Sequence, residues 1–276
     1  MVYKKFLVVA SKQDEAGINI TTSLSQFQEN PLLNTLKDKS SFDFYLIENE
    51  IVETKNLDLE KINKYDFIIF ASRHKSEKNE KSICIHAPGN FREGRLGGED
   101  GKLSMTSALF MKQTFGKLNK IVNENNLKNY KVTMEVTHHG PLINKPCMFI
   151  EIGSTILEWK DKKVAFVIAR TLSEIIEGFK ENPYNEVAIG IGGGHYCPSF
   201  NKLQLNSNIA FSHIIPKYAL PLTKEMIMQA ISNTDEEVDF AVLDYNGLGN
   251  KEIRDEVIKI LEDNYIAWKK AHEITR

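Results

Sequence analysis

The 276-residue sequence is poor in the features that mark disulfide-rich, membrane-spanning or nucleic-acid-wrapping proteins. Its three cysteines are far apart and form no C-x-x-C pair, which argues against a disulfide framework or a Cys-rich zinc site. No run approaches the roughly 20 apolar residues of a membrane helix. The formal net charge is −2, so we expect no broad basic face for nucleic acid. With 42% hydrophobic and 26% charged residues, the composition is that of a globular protein, which we expect to be cytoplasmic.

Short apolar runs alternate with segments of helical periodicity along the whole chain. Many of the runs are continuously apolar, which is typical of strands covered on both faces of a parallel or mixed sheet. The pattern therefore predicts one layered α/β domain over residues 1–276, with 265–276 as a C-terminal tail. The predicted strands are 5–10, 42–47, 67–71, 83–86, 131–137, 148–152, 187–191, 209–215 and 238–243, and the predicted helices are 104–123, 161–179, 224–231 and 251–264.

Six of the seven histidines lie at or near the ends of predicted strands, where open α/β sheets bind their ligands. Neutral imidazole is a common metal ligand, so several such histidines meeting in one crevice would form a metal site. Each histidine taken alone is more often a hydrogen-bonded structural residue than a ligand, and no compact motif such as H-E-x-x-H is present. The set favours the metal site. Its members are His74, His86, His138, His139, His195 and His213.

Two glutamates lie inside predicted strands, Glu135 in Val132-Thr-Met-Glu-Val-Thr and Glu151 in Phe149-Ile-Glu-Ile. A charged residue in such a run is rarely buried without a partner. In a hydrolytic metal site it could be a ligand, a general base or a group that orients a ligating histidine. The alternatives are exposure on an edge strand or pairing with Lys or Arg. Strand alternation predicts Glu135 on the side of His139 and opposite His138, so only one of these histidines would bind a given metal ion.

A glycine-rich segment, Gly190-Ile-Gly-Gly-Gly, precedes His195 and partly resembles a dinucleotide-binding fingerprint. We expect no helix after it, so a tight loop that presents backbone N–H groups to an oxyanion fits better. Cys197 could be a nucleophile beside His195, but a small buried side chain is its more common role. Residues 89–102 are predicted to be a long loop beside the site.

Seven segments together resemble the archaeal and plant type of zinc-dependent D-aminoacyl-tRNA deacylase. In order along nearly the whole chain, they begin with Ser11-Lys-Gln-Asp-Glu-Ala-Gly, Ser72-Arg-His-Lys-Ser, His86-Ala-Pro-Gly-Asn-Phe and Glu135-Val-Thr-His-His-Gly-Pro. Phe149-Ile-Glu-Ile-Gly-Ser, Gly192-Gly-Gly-His-Tyr-Cys-Pro-Ser-Phe and His213-Ile-Ile-Pro-Lys-Tyr complete the set. The chain departs from the family pattern at Glu15 and at Ser199, and neither position carries a histidine or glutamate of the predicted site.

The resemblance implies a three-layer α/β/α sandwich with a mixed, mostly parallel sheet, of the phosphorylase/hydrolase-like kind. It also implies one or two zinc ions and hydrolysis of the ester between a D-amino acid and the 3′-terminal ribose of tRNA. The expected partner is the acceptor end of D-aminoacyl-tRNA, without a membrane or DNA partner, and the protein is expected to be a monomer or weak dimer.

Chemical roles can be assigned to the predicted site residues on this basis. A zinc-bound water would attack the ester, with Glu135 or His139 as general base and the backbone of Gly192, Gly193 and Gly194 as the oxyanion site. His213 would be a ligand or a substrate contact. The expected zinc ligands are His86, His138, Glu151 and His195, and the expected contacts to terminal phosphates are Arg73, His74 and Lys217.

Two other functions fit the same sequence. One is a metal-free α/β hydrolase or phosphorylase that acts on a nucleoside or on peptidyl-tRNA with histidines as acid–base groups. The other is a non-catalytic RNA-binding protein with structural zinc, against which the low net charge counts. Metal analysis and the effect of a chelator on activity distinguish the metal-free enzyme from the zinc-dependent deacylase.

Overall fold

The chain forms two β-sheets with helices packed against them. A computed structural model describes residues 3–28, 41–77 and 79–274. The strands are β1 (Lys5–Ser11), β2 (Ser41–Ile47), β3 (Phe67–Lys75), β4 (Ser82–His86), β5 (Lys131–Met134), β6 (Cys147–Ser154), β7 (Glu186–Ile191), β8 (Ile209–Ile215), β9 (Phe240–Leu243) and β10 (Trp268–Lys270). The helices are α1 (Glu15–Leu24), α2 (Leu59–Ile62), α3 (Ala108–Glu124), α4 (Ile156–Trp159), α5 (Lys162–Gly178), α6 (Pro198–Asn206), α7 (Lys224–Ser232) and α8 (Lys251–Asp263).

The strands are divided between a larger and a smaller sheet. The larger sheet has the order β2-β1-β3-β6-β4-β5, and the smaller has the order β10-β9-β7-β8. Neighbouring strands are parallel throughout, except that β4 runs antiparallel to β6. The predicted mixed and mostly parallel arrangement is confirmed, although we expected one sheet and the structure has two.

Local sequence signals fix the starts of the long helices. Asp14, Ser107 and Asp161 each cap a helix by accepting hydrogen bonds from backbone N–H groups of its first turn. The apolar faces of α1, α3 and α5 are buried in one large core together with residues of both sheets, including a Phe67–Phe110 ring pair at 4.2 Å. Among the described helices, none is long and apolar enough to cross a membrane.

The strand predicted over 131–137 is shorter in the structure, because its backbone changes partners. The Glu135 N–H still donates to Ile85 O of β4 at 3.0 Å. The next two N–H groups instead donate across to the other part of the molecule, from Val136 to His195 O and from Thr137 to Ile214 O, both at 3.0 Å. The segment 135–139 thus joins the two sheets.

Two further predictions need correction. We expected no helix after the glycine-rich segment, but α6 begins at Pro198, whose fixed φ suits the first turn of a helix. Residues 265–276 were expected to form a tail, but Trp268–Lys270 pair with β9 as the parallel edge strand β10, while Ile266 and Trp268 pack against the core of the smaller sheet. The assignment of 1–276 to a single domain remains a prediction.

Candidate active site

A cluster of histidines and glutamates lies where the two sheets meet. His74 lies near the end of β3, His86 is the last residue of β4 and Glu151 lies within β6. Glu135 follows β5 directly, and the linking segment then carries two further histidines. His74, His86 and both glutamates are almost completely buried, so the cluster is part of the interior rather than a surface patch.

Register explains why these side chains meet. Glu151 of β6 is paired with Ser72 of β3 on one side and with Cys84 of β4 on the other, so the three residues form one row across the sheet. Ser72 Oγ donates to Glu151 Oε1 at 2.6 Å. Because side chains two residues apart share a face of a strand, His74 and His86 lie on the same face as this row.

Three imidazoles are oriented alike by the backbone. The Nδ1 atoms of His86, His138 and His139 lie 3.1, 2.8 and 2.7 Å from the carbonyl oxygens of Ala87, Val136 and Gly140. A carbonyl can only accept, so each Nδ1 carries the proton and donates it. In the neutral form of each ring, Nε2 therefore keeps its lone pair, which is the arrangement found in metal-ligating histidines whose other nitrogen is held by a carbonyl.

The histidines and glutamates form overlapping groups that could hold a metal ion. In each group, one potential ligand atom per residue lies within 4.8 Å of the others. Glu135 belongs to three of the four groups, so it is the centre of the cluster. The groups are His86–His138–His139, Glu135–His138–His195, His86–Glu135–Glu151 and His74–Cys84–Glu135.

The Glu135 carboxylate is surrounded by imidazoles but accepts no hydrogen bond. Its oxygens lie 3.2 Å from His74 Nδ1, 3.7 Å from His138 Nε2 and 3.5 Å from His195 Nε2. Both oxygens, like His86 Nε2, are buried and lack a hydrogen-bond partner. Unpaired buried polar atoms of this kind are costly, and a cation bound among them would remove the cost. The donor set therefore fits a metal ion.

Burial and neighbouring charges set the protonation of the cluster. Burial, together with the charge of His86, lowers the pKa of His139 to about 4, and burial with the neighbouring imidazoles lowers the pKa of His138 well below its usual value. Burial alone would lower the pKa of His74, but Glu151 and Glu135 outweigh it and raise that pKa. Burial alone would raise the pKa of Glu151, but its contacts with His74 and His86 hold it well below the usual value.

The structure corrects the prediction that His138 and His139 face opposite ways. Alternation holds only within a strand, and β5 ends at Met134. His139 then adopts a left-handed backbone with φ 43°, and its ring centroid lies 4.3 Å from that of His138. Both rings lie in one group with His86, so the expected general base His139 is placed as a candidate ligand.

Several predicted substrate contacts have other partners in the structure. His213 is fully buried, with Thr137 Oγ1 3.1 Å from Nδ1 and Asn233 O 3.3 Å from Nε2, and no candidate metal group of the described residues includes it. The Arg73 guanidinium pairs with Glu50 at 2.7 Å. The Gly192 N–H donates to Ile215 O at 2.8 Å, so it is not available to an oxyanion. In the described part of the chain, Gly193 and Gly194 have no such acceptor for their N–H groups.

Cys197 is confirmed as a buried side chain. It is fully buried, and burial raises the pKa of its thiol well above the usual value, so a thiolate nucleophile does not form there.

A cavity of about 670 Å³ opens onto the cluster. His138, His139 and His195 line its floor, and the predicted loop 89–102 and a short turn after β8 supply its walls. The wall residues Arg92, Leu96 and Tyr218, like the cluster residues Ser72 and Cys84, were not predicted as site residues. For Cys84 the signal was present, since it stands two residues before His86 on the same strand.

Comparison with known proteins identifies the family. The sequence model of the family described as D-aminoacyl-tRNA deacylase matches residues 61–269. The D-aminoacyl-tRNA deacylase of Thermococcus onnurineus is 35% identical over 252 residues, which cover 87% of this chain and 91% of the relative. The deacylase of Methanocaldococcus jannaschii is 32% identical over 274 residues, 96% of this chain and 99% of the relative.

A solved structure shares the fold. The crystal structure of a conserved protein of unknown function superposes with a TM-score of 0.85 at 30% identity, covering 99% of this chain and 98% of that one. Together with the family match and the relatives, this shows that the chain belongs to the D-aminoacyl-tRNA deacylase family.

Proposed function

We propose that the chain hydrolyses the ester bond between a D-amino acid and the 3′-terminal ribose of tRNA, with zinc as its metal. The observation that carries the proposal is the set of three imidazoles whose Nδ1 atoms are held by backbone carbonyls beside an unpartnered buried carboxylate. Nitrogen and carboxylate ligands suit zinc. The activity for which the family and its archaeal relatives are named supports the choice of substrate.

The overlapping groups support one or two ions held by His86, His138 and His139, together with Glu151 and His195, with the Glu135 carboxylate beside them. Zinc would supply a Lewis acid that lowers the pKa of a coordinated water to about 7. His138 and His139 are neutral near pH 7, because burial lowers the pKa of both, and they can therefore bind the ion without first losing a proton.

Glu135 is the best-placed proton acceptor. Its carboxylate lies within 3.7 Å of three imidazoles, and no hydrogen bond occupies its oxygens. It takes a proton from the attacking water and returns it to the ribose oxygen as the ester bond breaks. Ser72 and His74 hold Glu151 in place beside it, at 2.6 and 3.6 Å.

The cavity above the histidines would receive the aminoacylated end of tRNA. Lys217 is exposed and lies in sequence between the lining residues Pro216 and Tyr218, so it could meet a backbone phosphate. A contact with the acceptor end alone needs only a small local positive charge, which is compatible with a net charge of −2.

Hydrolysis of D-Tyr-tRNA against L-Tyr-tRNA, with and without a chelator, tests the proposal. We expect the D-ester to be hydrolysed faster than the L-ester, with the activity lost on chelation and restored by zinc. Equal hydrolysis of both esters would contradict the proposed substrate. Full activity of protein shown by elemental analysis to be free of metal would contradict the role of zinc.

A further inference from the structure

An exposed tyrosine stands at the mouth of the cavity without a partner in the protein. Tyr218 lines the cavity together with His138, His139 and His195, and its side chain is 61% exposed. In the described part of the chain, no residue hydrogen-bonds to its hydroxyl and no ring or cation stacks on it. A large aromatic side chain left open beside a catalytic cluster is available to a ligand.

The backbone beneath this ring is held from two sides. Tyr218 is the middle residue of a 3-10 turn, Lys217–Ala219. The Lys217 N–H donates to Gly193 O at 3.1 Å, and Arg92 Nε donates to Ala219 O at 3.0 Å. Arg92 also donates to Pro221 O at 2.5 Å, so the loop and the turn that form the cavity walls are tied together. The ring is therefore presented by a fixed scaffold, which lowers the entropic cost of binding.

A lysine directly precedes Tyr218 in the turn. Lys217 is exposed, and among the described residues no carboxylate pairs with its ammonium group. An exposed aromatic ring with an adjacent positive charge is the combination that binds single-stranded nucleic acid, where the ring stacks on a base and the cation meets the backbone phosphate.

We propose that the Tyr218 ring stacks on the adenine base of the 3′-terminal nucleotide of tRNA, with Lys217 contacting the phosphate of that nucleotide. The inference rests on the proposed function, because it takes the ester to lie above the histidines. The base of the terminal nucleotide is then only one ribose away from the reacting bond. The cavity, at about 670 Å³, has room for a nucleoside as well as an amino acid.

The terminal adenosine, unlike the amino acid, is the same in every substrate, and this gives the proposal a sharp test. Tyr218→Ala should raise KM by about 10-fold or more, equally for D-Tyr-tRNA and D-Ala-tRNA, and should leave kcat within about two-fold. Tyr218→Phe keeps the ring and should retain the wild-type KM. Tyr184→Ala, which removes an exposed tyrosine elsewhere, is the matched control and should change neither constant.

Three results would overturn the proposal. The first is an unchanged KM in Tyr218→Ala. The second is a KM raised equally in Tyr218→Phe, which would assign the role to the hydroxyl. The third is a KM raised for D-Tyr-tRNA but not for D-Ala-tRNA, which would assign the ring to the amino acid.

Binding of AMP by the metal-loaded protein separates this inference from the proposed function. AMP carries the base and the phosphate without an ester, so its affinity does not depend on hydrolysis. Wild-type protein should bind AMP more tightly than CMP, because purines stack more strongly, and Tyr218→Ala should remove the preference. Equal binding of the two nucleotides by wild-type protein would refute stacking even if hydrolysis is observed.

Discussion

At the scale of single residues, Glu135 combines burial, a negative charge and free hydrogen-bonding capacity. Replacing it with Gln keeps the shape but removes the charge that faces three imidazoles. We expect kcat to fall by at least about 100-fold, because a general base is lost, and zinc affinity to fall as well. Turnover of D-Tyr-tRNA and elemental analysis check this. Glu174→Gln, which removes a half-exposed carboxylate paired with Lys117 and Arg170, should leave both unchanged.

We expect His213 to affect stability rather than chemistry, because it is fully buried and belongs to no candidate metal group of the described residues. Burial lowers its pKa in the folded protein to about 4, whereas the unfolded chain binds a proton near the ordinary value of 6.5. Between these values the unfolded state holds more protons, so the stability contributed by neutral His213 is complete above 6.5 and is lost as the pH falls toward 4. The loss amounts to about 2 kcal/mol between pH 8 and pH 5.

Urea denaturation across that range tests this role. His213→Gln should reduce the fall in unfolding free energy by about 2 kcal/mol relative to wild type. His272→Gln, which changes an exposed histidine, should leave the pH dependence unaltered. A His213→Gln curve parallel to that of wild type would show that His213 is not the titrating group.

At the scale of elements, Lys112 links α3 to the end of α6 and the start of β8. Its Nζ donates to the carbonyls of Gln204, Ser207 and Ile209 at 2.7, 2.8 and 2.9 Å. Burial lowers the pKa of Lys112 to about 8, so the ammonium is still largely charged at pH 7. Lys112→Met should cost roughly 3 kcal/mol, because three partly buried acceptors lose their donor.

Lys117 on the same helix provides the control for this prediction. It pairs with Glu174 at a half-exposed position, and Lys117→Met should cost less than about 1 kcal/mol. Chemical denaturation of the two variants compares the costs. Equal losses would mean that the three carbonyl contacts of Lys112 add nothing beyond a surface ion pair.

Most elements could be predicted from the sequence. Helix α1 was not predicted although Asp14 provides a local cap, whereas the early end of β5 depends on contacts distant in sequence. The apolar runs of β3, β6 and β8 and the capped helices α3 and α5 carry strong local signals. The early end of β5 has no local signal, because it follows from N–H groups of 136 and 137 bonding to His195 and Ile214. The orientation of His139 could not be predicted for the same reason.

The candidate site likewise combines features that the sequence indicates with features that depend on tertiary contacts. The chemistry of Glu135, His86 and His138 could be inferred from residue type and position at strand ends. Their grouping with Cys84 and Ser72 required the register of β3, β4 and β6. The cavity walls required the tertiary contact between Arg92 and the turn at Tyr218, which no sequence pattern indicates.

At the scale of the whole molecule, β10 is a three-residue edge strand that covers β9 in the smaller sheet. A chain truncated after Tyr265 would lose this strand and the packing of Ile266 and Trp268, and would expose the edge of β9. We expect a lower melting temperature and aggregation, because an unpaired strand edge templates association. Thermal denaturation and light scattering test this. A chain truncated after Ile274 keeps β10 and should behave as wild type, whereas equal behaviour of both truncations would contradict a role for β10.

The backbone bonds of residues 135–137 to both sheets have a consequence for assembly. Glu135 and the neighbouring histidines take their places only when β4, β8 and the His195 loop are all present to receive these bonds. A chain in which only one of the two sheets has formed lacks the complete cluster, and we expect it to be inactive in ester hydrolysis. Recovery of ester hydrolysis during refolding therefore reports completion of the native structure, and we expect it to lag behind the return of secondary structure measured by circular dichroism.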